Sequence, residues 1–183
     1  MIRRLSAAHS VLLIVDMQAS LMPVIDQGDL RIAAAKRLAD AAKLLNIPVL
    51  ATEHLADKLG HTVEPLLSDL QAVCNKTHFD GTKEDHFEAF MPPGRSQVVV
   101  CGAEAHVCVM QTALGVLQSG REVWMASDAC GSRHDEDRVL GLGRLANAGA
   151  ELVSSEMVMF EWLVHADHPK FRDVLAVIKS KDG

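Results

Sequence analysis

No stretch of this sequence approaches the roughly 18 uncharged apolar residues needed to cross a bilayer as a helix. No membrane partner is expected, and the chain reads as soluble. A long cluster of lysine and arginine is also missing, and the formal net charge is -6. Both features argue against nucleic acid as the main partner, because phosphate binding rests on concentrated positive charge. The four cysteines, at 74, 101, 108 and 130, include no CxxC pair. A chain of this size needs no disulfide framework, so a reducing, cytoplasmic compartment is expected. There is no GxxxxGK(S/T) phosphate loop either. Gly141-Leu142-Gly143 falls inside a helical pattern rather than after a strand, which disfavours nucleotide binding. The segment Met1 to Ser6 carries two arginines, but the apolar run beyond it is short and ends on Asp16, so no secretory signal is read.

What is present is 183 residues with 49% hydrophobic content, enough for one domain over 1-183 with its own core. Val11 to Val15 is a continuous, β-branched-rich run, the pattern of a parallel strand covered on both faces. Leu30, Ala34, Leu38, Ala41 and Leu45 then recur at helical spacing, with charged residues on the other faces. Further strands are expected at Pro48–Thr52, Val73–Lys76, Gln97–Gly102, Glu122–Ser127 and Glu151–Ser154. Helices are expected at about His106 to Gln118 and His134 to Asn147, with Gly120 and Gly149 as stop signals. Strands alternating with helices predict a doubly wound α/β fold, a mostly parallel six-stranded sheet with helices on both faces. Met157, Val158, Phe160, Trp162 and Leu163 form a late apolar run that reads as core or as a subunit contact.

Sites in such sheets gather at the carboxyl ends of strands, where Asp16, Lys76 and the Gly102 to Cys108 turn fall. Asp16 suits a general base or, equally, a turn aspartate. For Lys76, local sequence alone favours an ordinary exposed lysine over an anion-stabilising one. Cys108 follows a strand-Gly turn and opens a helix, whose positive end favours a thiolate nucleophile. Cys101 and Cys130 read instead as small core residues. A Cys108–His106 dyad is disfavoured, because residues two apart on a helix point about 200° away from each other.

Three segments together carry a recognisable pattern: Val11-Leu-Leu-Ile-Val-Asp-Met-Gln18, Cys74-Asn-Lys76 and Val100-Cys-Gly-Ala-Glu-Ala-His-Val-Cys-Val-Met-Gln-Thr-Ala113. In order and spacing they resemble the isochorismatase-like cysteine hydrolases, and Asp128-Ala-Cys-Gly-Ser-Arg133 adds to the match. Glu53-His54, Leu59 to Leu66 and Glu104 to Cys108 make the isochorismatase domain-containing subgroup the nearest in pattern. The resemblance implies a catalytic group of Cys108, Asp16 and Lys76. It also implies a cis peptide joining Ala103 to Glu104, and an oxyanion hole built from the Glu104 and Cys108 N–H groups. Gln18, His54, Phe79 and Ala105 are the expected substrate contacts, and a homo-oligomer is implied.

The chain departs from the metal-binding members of the family. They use an Asp-x-His pair and a second histidine, whereas Glu53-His54 followed by His61 lacks that spacing. No metal or other cofactor is expected, and His54 is expected to line the pocket. The function implied is hydrolysis of a small amide, imide or carbamoyl substrate through a covalent thioester. The alternatives are a non-catalytic oligomeric binding or regulatory protein on the same fold and, as a minority reading, vinyl ether hydrolysis.

Overall fold

The computed structural model describes residues 3–180. Residues 1–2 and 181–183, at the ends of the expected 1-183 unit, lie outside the described residues, as do the first two positions of the Met1 to Ser6 segment. In chain order the main elements are β1 (Ser10–Val15), α1 (Gly28–Leu44), β2 (Val49–His54), α2 (Ala56–Leu59), α3 (Glu64–Leu67) and β3 (Ala72–Lys76). They are followed by α4 (Phe87–Phe90), β4 (Gln97–Ala103), α5 (Cys108–Gln118), β5 (Glu122–Gly131), α6 (Asp135–Asn147), β6 (Glu151–Val153), α7 (Ser155–Leu163) and α8 (Phe171–Lys179).

The six strands form one sheet in the order β3-β2-β1-β4-β5-β6, and every strand pair is parallel. Crossover helices lie on both faces, with α1, α7 and α8 together on one and α5 with α6 on the other. This is the doubly wound α/β architecture expected from the alternating pattern. β1 lies in the middle with β2 on one side and β4 on the other. Its six residues are all buried, as a continuous apolar run with neighbours on both edges requires. The chain winds outward from β1 through β2 to β3, then returns to place β4 on the opposite edge of β1. The order of winding therefore reverses between β1 and β4, which opens a crevice at their carboxyl ends.

Three local expectations are corrected. α1 begins at Gly28 and its inward row is Ala34, Ala35, Leu38, Ala39, Ala41 and Ala42, while Leu30 is exposed. α5 begins at Cys108 rather than His106, because Glu104 to Val107 are spent on a turn in which the Glu104 carbonyl accepts the N–H groups of Val107 and Val109. β5 runs on past Ser127 to Gly131, pairing Cys130 with Gly102 and Gly131 with Ala103. Its apolar run is interrupted by Ser127 and Asp128, whose side chains bind the Val153 carbonyl and the start of α7 at Ser155. Polar residues with such partners continue the strand without the apolar signal. Gly120 and Gly149 end α5 and α6 with positive φ, as their placement predicts. In the late apolar run, Val158, Met159, Trp162 and Leu163 are core, while Met157 and Phe160 remain exposed.

Candidate active site at the carboxyl end of the central strands

Asp16 is the residue at which β1 ends, and it turns the chain out of the sheet with a left-handed φ of 53°. Its N–H still extends the ladder to the Thr52 carbonyl on β2 at 3.1 Å. The carboxylate is 1% exposed and is held from two sides. Oδ1 accepts a hydrogen bond from Thr52 Oγ1 at 2.6 Å, and Oδ2 lies 2.7 Å from Lys76 Nζ. Among the described residues Oδ2 has no further protein hydrogen bond. Lys76 closes β3, an edge strand whose Ala72, Val73 and Asn75 are exposed. Its own side chain is fully buried, and its ammonium also donates to the His78 carbonyl at 3.2 Å. The exposed-lysine reading is thus overturned: a charge this deep is tolerable because a carboxylate and a carbonyl receive it.

Cys108 opens α5 and retains 8% exposure. Asp16 and Lys76 are close enough for both to act electrostatically on its thiol. Burial, followed by the Asp16 charge, pushes this thiol up to about 12, against the opposing effect of Lys76. Burial and the Asp16 charge therefore work against the thiolate that the helix start would favour. Cys101 and Cys130 are fully buried and are held as thiols by desolvation.

The turn between β4 and α5 approaches β1 closely. A Cβ at Gly102, which has φ of 139°, would sit 2.1 Å from the Val15 carbonyl oxygen, so only glycine fits there. The next peptide, Ala103–Glu104, is cis. Ala103 is buried, and the Glu104 carboxylate accepts from the Arg133 backbone N–H and Nε at 3.1 and 3.0 Å. The His106 ring turns away from Cys108, with Nδ1 3.0 Å from Ser132 Oγ, so the two do not form a dyad.

The expected substrate contacts divide. His54 and Phe79 come together at the mouth, with ring centroids 5.4 Å apart and planes tilted by 33°. Phe79 is half exposed, and His54 Nδ1 is buried with no hydrogen-bond partner among the described residues. Burial and then the Lys76 charge hold the His54 imidazole below its ordinary pKa, against Asp16 and Glu84, which favours the neutral ring. Gln18 is corrected: it is completely buried, donates to the His54 and Gly60 carbonyls at 3.0 and 2.6 Å, and accepts from the His54 N–H at 2.8 Å. Its amide ties two loops together and has no polar atom facing a ligand. Ala105 is buried, and its N–H is committed to the Gly131 carbonyl at 2.7 Å.

Glu53 and His54 point apart, as adjacent residues on extended backbone must. The buried Glu53 carboxylate accepts from the Thr62 N–H and Oγ1 at 2.7 and 2.8 Å and lies 2.9 Å from His61 Nδ1. Burial works to raise its pKa, but the bonds from Thr62 and His61 prevail and hold the carboxyl below its usual range. Among the described residues no group of three or more His, Cys, Asp or Glu side chains is arranged to hold a metal ion.

Two residues that matter to this geometry were not singled out from sequence. Thr52 reads as an unremarked β-branched strand residue, and nothing local announces the hydroxyl's partner. Thr112 reads as helix interior, yet its Oγ1 accepts from the Gly81 N–H at 3.0 Å and donates to the Phe79 carbonyl at 3.3 Å, anchoring the loop that carries Phe79. A polar residue on the buried face of an otherwise apolar helix was the available signal.

Comparison with known proteins identifies the family and the fold. The isochorismatase domain model matches residues 10–157. Isochorismatase domain-containing protein 2 of Xenopus laevis is 38% identical over 178 residues, covering 97% of this chain and 87% of that protein. Among solved structures, MAR1 ribonuclease from Caenorhabditis elegans superposes with a TM-score of 0.91 at 32% identity, covering 99% of this chain and 95% of that one. YcaC from Pseudomonas aeruginosa, solved with hexane-2,5-diol and covalent acrylamide, gives a TM-score of 0.88 at 25% identity, covering 97% and 92%.

Proposed function

Because the chain belongs to the isochorismatase family, whose domain spans residues 10–157, we propose that it is a cysteine hydrolase acting on a small amide, imide or carbamoyl substrate. One observation carries the reading: a fully buried Asp16–Lys76 ion pair set against a thiol that keeps a route to solvent. Holding two charges in a protein interior costs several kcal/mol per ion before compensation, and nothing in the packing of β1 and β3 requires it.

In this reading Cys108 Sγ attacks the carbonyl carbon while its proton passes to Asp16 Oδ2. The C–S bond forms and the carbonyl electrons move onto oxygen, where the Glu104 and Cys108 N–H groups receive the charge. Collapse restores the carbonyl and breaks the C–N bond, and the leaving amine takes the proton from Asp16. Water, losing its proton to Asp16, then attacks the thioester, and the departing sulfur recovers that proton. Lys76 holds Asp16 in place and offsets its charge throughout. His54 and Phe79 flank the entrance and contact the substrate. The protein assembles as a homo-oligomer in this reading, with exposed Met157 and Phe160 available for contact, which light scattering on the eluting protein would test.

The test is ammonia or amine release from a panel of small amides, imides and carbamoyl compounds by wild type and Cys108→Ala. Release by wild type alone is expected. Cleavage of a vinyl ether that survives Cys108→Ala would assign the other hydrolase chemistry. Silence across the panel, with Cys108 no more reactive than in unfolded chain, would favour a binding protein. RNA belongs in the panel because of the Caenorhabditis neighbour, and its cleavage would overturn the small-molecule reading.

A further inference from the structure

We infer that Thr52 is a positioning residue of this site, clamping one oxygen of Asp16 so that the other is held toward Lys76 and the Cys108 thiol. The inference rests on the hydrolase reading above and adds a residue to it. Thr52 is completely buried in β2, among strand residues that are themselves buried. Valine has nearly the same shape and an equal preference for strands, so packing gives no reason for a hydroxyl at this position. That hydroxyl has one use: Oγ1 donates to Asp16 Oδ1 at 2.6 Å. The same residue's carbonyl accepts the Asp16 N–H at 3.1 Å. Thr52 therefore grips both the backbone and the side chain of Asp16, immediately where the chain leaves β1 in a left-handed conformation.

The grip matters because the terminal torsion of an aspartate is soft, with broad wells rather than sharp ones. With Oδ1 engaged by Thr52, Oδ2 is the oxygen left for Lys76 at 2.7 Å and, in the mechanism proposed above, for the thiol proton. Without the hydroxyl, Oδ1 becomes a buried acceptor lacking a donor. The carboxylate then turns to share both oxygens with the Lys76 ammonium, drawing Oδ2 off the sulfur. The ionisable groups within electrostatic reach of Asp16 are Lys76 and Cys74 from β3, His54 from β2 and Cys108 from α5. Thr52→Val leaves all of them in place.

The test follows iodoacetamide labelling of Cys108 by intact mass from about pH 5 to about pH 10. It compares wild type, Thr52→Val, Thr52→Ser and Asp16→Asn, with Cys108→Ala reporting any labelling of the other cysteines. In Thr52→Val the plateau rate is expected to fall about tenfold or more. Thr52→Ser, which keeps the hydroxyl, is expected to stay within about twofold of wild type. Thr52→Val labelling like wild type overturns the inference, and so does Thr52→Ser as slow as Thr52→Val, because packing rather than the hydroxyl would then be responsible. Labelling unaffected by Asp16→Asn would remove the base itself, and with it both readings. An effect of Asp16→Asn without one of Thr52→Val removes the Thr52 inference alone.

Discussion

Replacing Lys76 with methionine keeps most of the side chain's volume and deletes its charge. In the native protein the ammonium stands 2.7 Å from Asp16 Oδ2, with side-chain exposures of 0% and 1%. At that distance the attraction is about 6 kcal/mol if the effective dielectric constant is about 20. The partner left behind is a buried carboxylate whose remaining hydrogen bond is from the Thr52 hydroxyl. The expected loss of unfolding free energy in Lys76→Met is about 3–5 kcal/mol, the range for breaking a buried pair on one side. The double variant Asp16→Asn/Lys76→Met should recover most of it, since neither charge then remains. Urea unfolding of the two single variants and the double variant gives the coupling directly. A cost below about 1 kcal/mol for Lys76→Met, or strictly additive losses in the cycle, would refute the claim that burial makes this pair interdependent.

Labelling of wild-type Cys108 by iodoacetamide should be nearly flat between about pH 6 and about pH 9, where a free thiol rises about tenfold per pH unit. The reactive form has moved its proton to Asp16 rather than to solvent, so it carries the same proton count as the resting form. A tenfold-per-unit rise would refute proton transfer within the group. Cys74, Cys108 and Cys130 are pushed up to about 11, 12 and 12 by burial. Their folded pKa values exceed the unfolded ones, so their contribution is complete below about pH 8.5 and is lost as pH rises toward the folded values. Each costs about 1.4 kcal/mol per pH unit over that window, and Cys130→Ala should flatten the alkaline fall in the urea midpoint by about one thiol's share. Gln18→Ala should lower stability by about 2–3 kcal/mol through the backbone groups it leaves unpaired. Gly102→Ala should cost about 4 kcal/mol or more, because its Cβ would meet the Val15 carbonyl at 2.1 Å; near-native stability there would contradict the close approach of β4 to β1.

The parts of the site legible in sequence are those carried by a single element. The apolar run ending on Asp16 and the strand-Gly turn ahead of Cys108 each announce a strand end, and the order of strands brings both to one crevice. Lys76 was not legible locally. It sits at the end of an edge strand that shows alternate residues to solvent, and the partner that buries it lies at the end of β1. Only the family pattern marked it. Gln18, offered as a substrate contact by the family resemblance, instead makes three hydrogen bonds to the backbone of His54 and Gly60, which sequence does not place nearby. Thr52 was invisible because a strand threonine is explained equally well by its shape. In each case the missing information was the partner across the fold.

The thiol's position at a helix start raises the question of whether Cys108 is activated as a thiolate or as a thiol. The positive end of a helix contributes about 0.3–1 kcal/mol to an anion beside it, and about 2 at most in buried settings. Desolvation and the Asp16 carboxylate act the other way and carry the group from an ordinary thiol value of about 9 to about 12, which corresponds to roughly 4 kcal/mol. The helix loses that contest. In the proposed hydrolase, counting charge gives a route despite it. A thiolate beside ionised Asp16 and Lys76 would put a net negative charge in a buried volume, whereas a thiolate beside protonated Asp16 and Lys76 is neutral, as is the resting group. Proton transfer from sulfur to Oδ2 therefore redistributes charge without creating any, and the burial that disfavours a free thiolate does not oppose the coupled step. This requires Asp16 to present one oxygen to the sulfur while keeping its other contacts, which is the arrangement that Thr52 and Lys76 impose from opposite sides.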